Sequence, residues 1–285
     1  MKPIYKWSGG KRKDIQHIEE YFPNYIKTKQ EYTLIEPFYG GGAVYWYLEN
    51  DDNIINDIDI ELINFNNILK TRSTELSKMV DDMSFKIQVI SDKEKNNELT
   101  ISDAKTERGK FYYDWRNKDR KNGLETLTDL ERAFRFYIVN QLSFNGMRRF
   151  NSKGEFNIPY GNYKLFNRQF HDEHIEHLKR TEIHCGSYKD IIKKKRNNTF
   201  VFIDPPYTRE FKEYSHDNDF GEKQQVELSE VFKTSDCDIM IVINKDDFTT
   251  ELYKDYIKKT YDFKYSTNIK NRYSNEVEHL IITNY

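Results

Sequence analysis

The order of apolar and polar positions divides the chain into three stretches. Near the start, residues 33–38 form a short apolar run, residues 39–42 read Tyr-Gly-Gly-Gly, and Ala43 to Glu49 carries apolar side chains at helical spacing, so a strand, a turn and a helix are predicted in that order. Residues 53–57 form a second short apolar run that ends on an acid, Asp57, and Ile60 to Leu69 again has helical periodicity. This β-α-β-α opening predicts a parallel sheet. From about 71 to 142 strand signals fade, while Leu130, Ala133, Phe134, Tyr137, Ile138 and Gln141 fall at helical spacing, so a helical insertion is predicted. Residues 144–159 alternate aromatic and basic side chains around the turn dipeptides Asn145-Gly146 and Lys153-Gly154, the pattern of a hairpin or ordered loop. The α/β pattern then resumes, with strands expected at 182–185, 199–204, 238–243 and 278–283 and a helix at 188–195. The fold class that follows is α/β, one sheet domain split by an insertion.

Composition narrows the picture. At 285 residues the chain suits one large domain or one domain with a second inserted in it. A mean hydropathy of −0.90 and the lack of any long apolar run predict no membrane span, and the basic start lacks the apolar core of a signal peptide. A soluble intracellular protein is expected. Aromatic residues at 15% are too many for a disordered polyelectrolyte, and 45 Lys and Arg against 47 Asp and Glu leave a net charge of −2, so any attraction for a polyanion has to come from local patches. Cys185 and Cys237 have no C-x-x-C spacing and are expected to be small buried side chains. His171, His174 and His177 recur every third residue without a carboxylate or cysteine at ligand spacing, so they predict a polar helix face and no metal.

Three places carry chemistry. Glu36 to Gly42, between a strand and a helix, brings backbone close to a ligand, although the dinucleotide spacing G-x-G-x-x-G fails because Tyr45 holds the third glycine position. Asp57 at the end of the next strand strengthens the case, since a carboxylate there accepts both hydroxyls of a ribose. Asp204-Pro205-Pro206-Tyr207 follows a buried strand at the edge where open α/β sheets bind ligands. An exocyclic amine such as adenine N6 has a delocalised lone pair, and methylating it calls for acceptors that hold both N–H groups. The Asp204 carboxylate and the Pro205 carbonyl supply two, the prolines fix the backbone, and Tyr207 offers a face on which a flipped base stacks.

Together, the segments 6–11, 36–42, 56–57, 144–151, 154–161 and 204–207 resemble the Dam-type (D12 class, alpha group) DNA adenine-N6 methyltransferases, in the family's order and over nearly the whole chain. The resemblance implies a Rossmann-like AdoMet-dependent methyltransferase sheet (residues 1–60 and 181–285) and an inserted, mostly helical target-recognition domain (61–180) that carries a β-hairpin. It implies S-adenosylmethionine (AdoMet) as cofactor, held by Trp7, Lys11, Phe38, Gly40, Gly42, Asp57, Ser187, Tyr188 and Asp204, and catalysis by Asp204, Pro205, Pro206 and Tyr207, without a metal.

Double-stranded DNA is the partner the resemblance implies. Arg149 has the fork geometry to read a guanine, Phe144 to wedge or stack at the displaced base, and Met147 to touch a thymine methyl. Lys6 matches the family lysine that reaches a flanking guanine, Arg148 and Lys153 suit phosphate contacts, and Asn145 and Pro159 complete the DNA-binding set. GATC heads the sites to test. The expected setting is a monomer in the cytoplasm of a bacterium or a virus-infected host cell, alone or beside a cognate restriction endonuclease. Two rivals remain open at this point, an RNA-adenine or cytosine-N4 methyltransferase and a catalytically idle DNA-binding module that retains AdoMet. Loss of turnover in Asp204→Ala separates a methyltransferase from an idle module.

Overall fold

The computed structural model describes the chain except residues 8, 121, 122, 195, 197, 207–219 and 265–275. The chain resolves into two compact units, one made of Met1–Lys2, Gly9–Ile58 and His184–Tyr285, the other of Pro3–Ser8 and Asp59–Ile183.

The first unit is organised by a seven-stranded sheet in the order β3-β2-β1-β4-β5-β7-β6. The strands are β1 (Thr33–Glu36), β2 (Asp52–Asp57), β3 (Thr181–Cys185), β4 (Thr199–Ile203), β5 (Asp238–Asn244), β6 (Ile257–Lys264) and β7 (Glu276–Thr283). β1 lies parallel to β2 and to β4, and β4 parallel to β5, while β7 is antiparallel to both β5 and β6. All four residues of β1 and all five of β4 are buried, which is why they read as continuous apolar runs without alternation.

Helices α1 (Ile15–Ile18), α2 (Asn24–Lys27) and α3 (Ala43–Leu48) precede β2; α9 (Tyr188–Ile192), α10 (Glu222–Thr234) and α11 (Asp247–Tyr253) fall among the later strands. One face of the sheet, with Ile35, Val201, Ile239 and Ile241, packs with Ile191 of α9, Leu228 and Phe232 of α10 and Tyr253 of α11. β6 was not expected from the sequence. Its run of lysine, threonine and aspartate lacks the apolar content of the central strands, as suits a strand at the sheet's edge, where charge blocks further pairing. Helix α9 stops at Ile192, short of the expected residue 195.

The second unit contains α4 (Ile60–Thr71), α5 (Ser73–Lys95), α6 (Ile101–Arg116), α7 (Asp129–Leu142) and α8 (Asp172–Lys179). Helix α7 begins at a capping box, in which Thr128 accepts from the Glu131 backbone and Glu131 reaches back to the Thr128 N–H. From Ala133 to Leu142 every residue of it is buried, so it is the unit's central helix. Phe65 of α4 stacks on Tyr137 at 5.5 Å, and the edge of Tyr5 meets both Phe65 and Phe136. The segment 3–8 is tied down further by the Lys6 backbone, whose N–H donates to Asn140 Oδ1 at 2.9 Å and whose carbonyl accepts from Asn140 Nδ2 at 2.7 Å.

Two expectations are corrected here. His174 and His177 are buried in α8, not part of a solvated polar face, because α8 turns that side inward together with Ile175 and Leu178. Cys237 is buried as expected, whereas Cys185 is exposed at the end of β3. Residues 144–159 form a narrow loop with antiparallel bridges at Ser143–Tyr160 and Phe150–Phe156, short of a continuous two-stranded ladder. The short 3-10 turn Phe144–Gly146 and Pro159, which has no N–H to give, interrupt the pairing. Among the described residues no helix is long and apolar enough to cross a membrane.

Candidate active site

Parallel pairing of β2, β1 and β4 brings their carboxyl ends to one edge of the first unit, and the residues singled out in the sequence follow those ends. After β1 the chain turns sharply: the Gly42 N–H donates to the Tyr39 carbonyl at 2.7 Å, and Gly40 and Gly42 have φ of +45° and +61°. A Cβ on Gly42 would lie 2.4 Å from the Tyr39 ring, so both the backbone angle and the packing call for glycine. The loop is anchored to β2. The Gly40 N–H donates to Asp57 Oδ2 at 2.8 Å, the Tyr39 N–H to the Asn56 carbonyl at 2.9 Å, and Asn56 Nδ2 to the Pro37 carbonyl at 2.9 Å.

Asn56 also donates to the Gly186 carbonyl at 3.0 Å, which draws in the segment after β3. There Ser187 caps α9 by accepting from the Lys189 N–H, and Tyr188 stacks on Phe38 at 4.9 Å, with Phe220 edge-on to Phe38. Ile58, directly after Asp57, is an apolar side chain left 54% exposed, a feature that sequence reading passes over because a lone isoleucine carries no motif.

At the end of β4, Asp204 Oδ1 lies 2.9 Å from Lys11 Nζ. Lys11 is 2% exposed, so its ammonium is held among protein atoms and not in solvent. Burial pushes the Asp204 carboxyl upward, and Lys11 beside it is the main opposing influence. Glu36, at the end of β1, is also buried; its Oε1 accepts the Tyr45 N–H at 2.6 Å, and burial pushes its carboxyl well above the usual range, with the Asp204 charge adding to the effect. Pro205 is buried and Pro206 exposed. Tyr207 lies outside the described residues.

The second unit contains the remaining residues. Trp7 has the Arg148 guanidinium 4.8 Å from its ring centre, and Arg148 also pairs with Asp59, the N-cap of α4. Lys6 donates to the Gln141 carbonyl at 2.7 Å and to Tyr163 Oη at 3.0 Å, with its methylenes against Gly146, where a Cβ would come within 2.3 Å. Met147 packs against Val139, Phe156 and Ile158. Phe144, Asn145, Arg149, Lys153 and Pro159 are exposed, and Arg149 Nε donates to Asn157 Oδ1 at 2.8 Å across the loop. The loop thus presents one set of side chains outward, while Lys6, Met147 and Arg148 are engaged with the protein's own groups.

The sequence pattern of the family described as D12 class N6 adenine-specific DNA methyltransferase matches residues 7–271. The chain belongs to that family. Relatives agree: a Type II methyltransferase, M.CviBI, of Paramecium bursaria Chlorella virus NC1A is 33% identical, with both chains covered in full. Another Type II methyltransferase, M.MjaIII of Methanocaldococcus jannaschii, is 30% identical over all of this chain and 99% of its own. The DNA adenine methylase of Escherichia coli is 30% identical over 81% of this chain and 75% of its own. This methyltransferase is therefore an adenine-specific DNA-modifying enzyme, and its α/β sheet is the fold expected of the class.

Proposed function

We propose that the chain transfers a methyl group from AdoMet to N6 of an adenine flipped out of a short duplex site, with GATC the first site to test. The observation that carries this reading is Asp204, set after a fully buried strand with Lys11 at 2.9 Å, beside the ends of β1 and β2. The groups present suit the cofactor chemically. The Lys11 ammonium complements a carboxylate, Asp57 complements a ribose diol, and Phe38 with Tyr188 offers aromatic surface for a purine. Gly40 and Gly42 let backbone come close on the methionine side, Ser187 borders the adenine side, and Trp7 packs on the cofactor.

When bound, AdoMet supplies an electrophilic methyl on a positive sulfonium. The protein's own share is positioning. Asp204 and the Pro205 carbonyl accept the two N–H bonds of the target amine and hold its lone pair toward the methyl, Pro206 fixes the chain, and Tyr207 stacks the base. A weakly basic amine needs no prior deprotonation, so Asp204 acts as acceptor and then takes the proton released by the methylated amine.

On the DNA side, Arg149 reads a guanine, Phe144 wedges at the vacated base, and Asn145, Lys153 and Pro159 line the contact. Met147, Lys6 and Arg148 complete the interface from positions nearer the body of the unit. The Type II names of two relatives support a role as the modification partner of a restriction endonuclease.

The test is incubation with radiolabelled AdoMet and plasmid DNA, followed by nucleoside analysis and digestion with methylation-sensitive nucleases. N6-methyladenine within GATC supports reaction and site together, and label at another sequence keeps the reaction and moves the site. Label found only on RNA or cytosine, or AdoMet bound without any transfer, overturns the reading. Asp204→Ala is expected to lower turnover by about 100- to 1,000-fold, the range for loss of a preorganised hydrogen-bonding partner, with DNA affinity retained.

A further inference from the structure

Behind the Lys11–Asp204 pair lies a buried polar group that no motif announces. Asp14 is fully buried, and its Oδ1 accepts from the Tyr261 hydroxyl and lies 2.8 Å from His279 Nδ1. His279 Nδ1 is also 3.3 Å from Tyr261 Oη. The two partners face each other across the antiparallel β6–β7 pair, where Tyr261 is registered with His279, and His279 is registered with Asn244 of β5 on its other side. Stacked rings fix both: Phe263 lies on His279 at 4.8 Å and His17 on Tyr261 at 4.6 Å.

Asp14 connects this group to the site through one turn of chain. The turn Lys11–Lys13 ends at Asp14, whose N–H donates to the Lys11 carbonyl at 2.9 Å. Lys11 in turn reaches Asp204. The group is also near enough to act on Asp204 electrostatically: after burial and Lys11, Asp14 pushes that carboxyl up and His279 draws it down.

Stability does not account well for such an arrangement. The second Asp14 oxygen, Oδ2, is buried without a hydrogen-bond partner among the described residues, and a buried polar group incompletely satisfied costs free energy that an apolar residue at the same place would not. Such a cost is more readily tolerated where a fixed geometry is needed.

We propose that Asp14, Tyr261 and His279 are positioning residues that tie the Lys11 turn to the antiparallel end of the sheet and so set Lys11 against Asp204. This rests on the reading of Lys11 and Asp204 given above. It adds that the C-terminal strands, far from every motif, take part in arranging the site.

The test is a double-mutant cycle on the full chain, with AdoMet affinity by titration calorimetry, single-turnover methylation and thermal midpoints. Tyr261→Phe is the mildest probe, because it deletes one hydroxyl and keeps the ring on His17; Asp14→Asn and His279→Asn follow. Tyr261→Phe is expected to weaken AdoMet binding or slow transfer by about tenfold, the change that accompanies loss of one hydrogen bond to a charged group. In a Lys11→Met background the same substitution should change AdoMet affinity no further, because its effect passes through Lys11, whereas its effect on the thermal midpoint should persist. Equal fold losses with and without Lys11, or a lowered midpoint with both AdoMet affinity and the rate of transfer unchanged, would overturn the proposal. If Lys11→Met alone binds AdoMet and transfers methyl as the wild type does, the underlying reading of the site fails instead.

Discussion

Asp204 is under two opposing influences: burial raises its carboxyl, and Lys11, at 2.9 Å, opposes the rise. The sign of the pH dependence follows. On the proposed mechanism only the ionised form accepts both the amine's N–H and, later, its proton, so activity is expected to rise with pH through a value displaced upward from the ordinary aspartate range. Lys11 lowers that value, so Lys11→Met should shift the acid limb of single-turnover transfer, measured at saturating AdoMet, to higher pH. An unmoved limb would mean that another group sets it. Glu36 presents the same physics without the compensating lysine. Its carboxyl is raised well above the usual range by burial, so the stability it contributes is fully present below the normal glutamate range and is lost as pH rises through the raised value. Glu36→Gln keeps an acceptor for the Tyr45 N–H and cannot ionise. Its thermal midpoint should fall less than the wild type's between pH 5 and about pH 9, a difference that melting curves across that range will show.

At the scale of elements, the glycine turn between β1 and α3 is the part of the site most tightly specified by backbone. Gly42→Ala imposes a left-handed angle on a residue with a Cβ and drives that Cβ into Tyr39, so a loss of about 1–3 kcal/mol is expected in denaturant unfolding, with weaker AdoMet binding alongside. Such local requirements are what a sequence displays well. The strand, Gly-Gly-Gly turn, acid-tipped β2 and proline pair after β4 were legible because each is a short contiguous pattern whose chemistry is local. The buried helix α7 was legible for the same reason, through its periodicity. What was not legible depends on distance along the chain. Asp14 meets Tyr261 across 247 positions, and β6 becomes a strand only because β7 is there to pair with it. His279 did leave a trace, a polar residue directly before the apolar run Leu280 to Ile282, but only a partner in space gives that trace a meaning. The loop after α7 was read correctly as a turn-rich basic segment. Which of its side chains face outward was settled by packing, in particular by Asp59 and Trp7 engaging Arg148.

For the whole molecule, a net charge of −2 is a constraint on how it meets a polyanion. With no general positive field, affinity has to come from a few local cations, and each neutralised phosphate adds about one to the salt dependence of binding. The exposed end of the loop offers two arginine- or lysine-bearing positions with different expected duties. Lys153 sits at the turn, where its backbone N–H donates to Asn151 Oδ1 at 2.9 Å and its side chain extends into solvent. Arg149 is braced on Asn157, which holds a planar fork in a fixed attitude suited to reading a base edge. The two should therefore separate in one experiment, an anisotropy titration of a cognate and a single-mismatch duplex over a range of salt. Lys153→Ala should lower the slope of log affinity against log salt by about one unit and weaken both duplexes alike. Arg149→Ala should cost about 1–3 kcal/mol of discrimination between the duplexes, so that affinity for the mismatch changes little while the cognate falls toward it. A uniform loss from Arg149→Ala would make it a phosphate contact, and base discrimination would then have to come from other exposed side chains of the loop, such as Phe144 and Asn145.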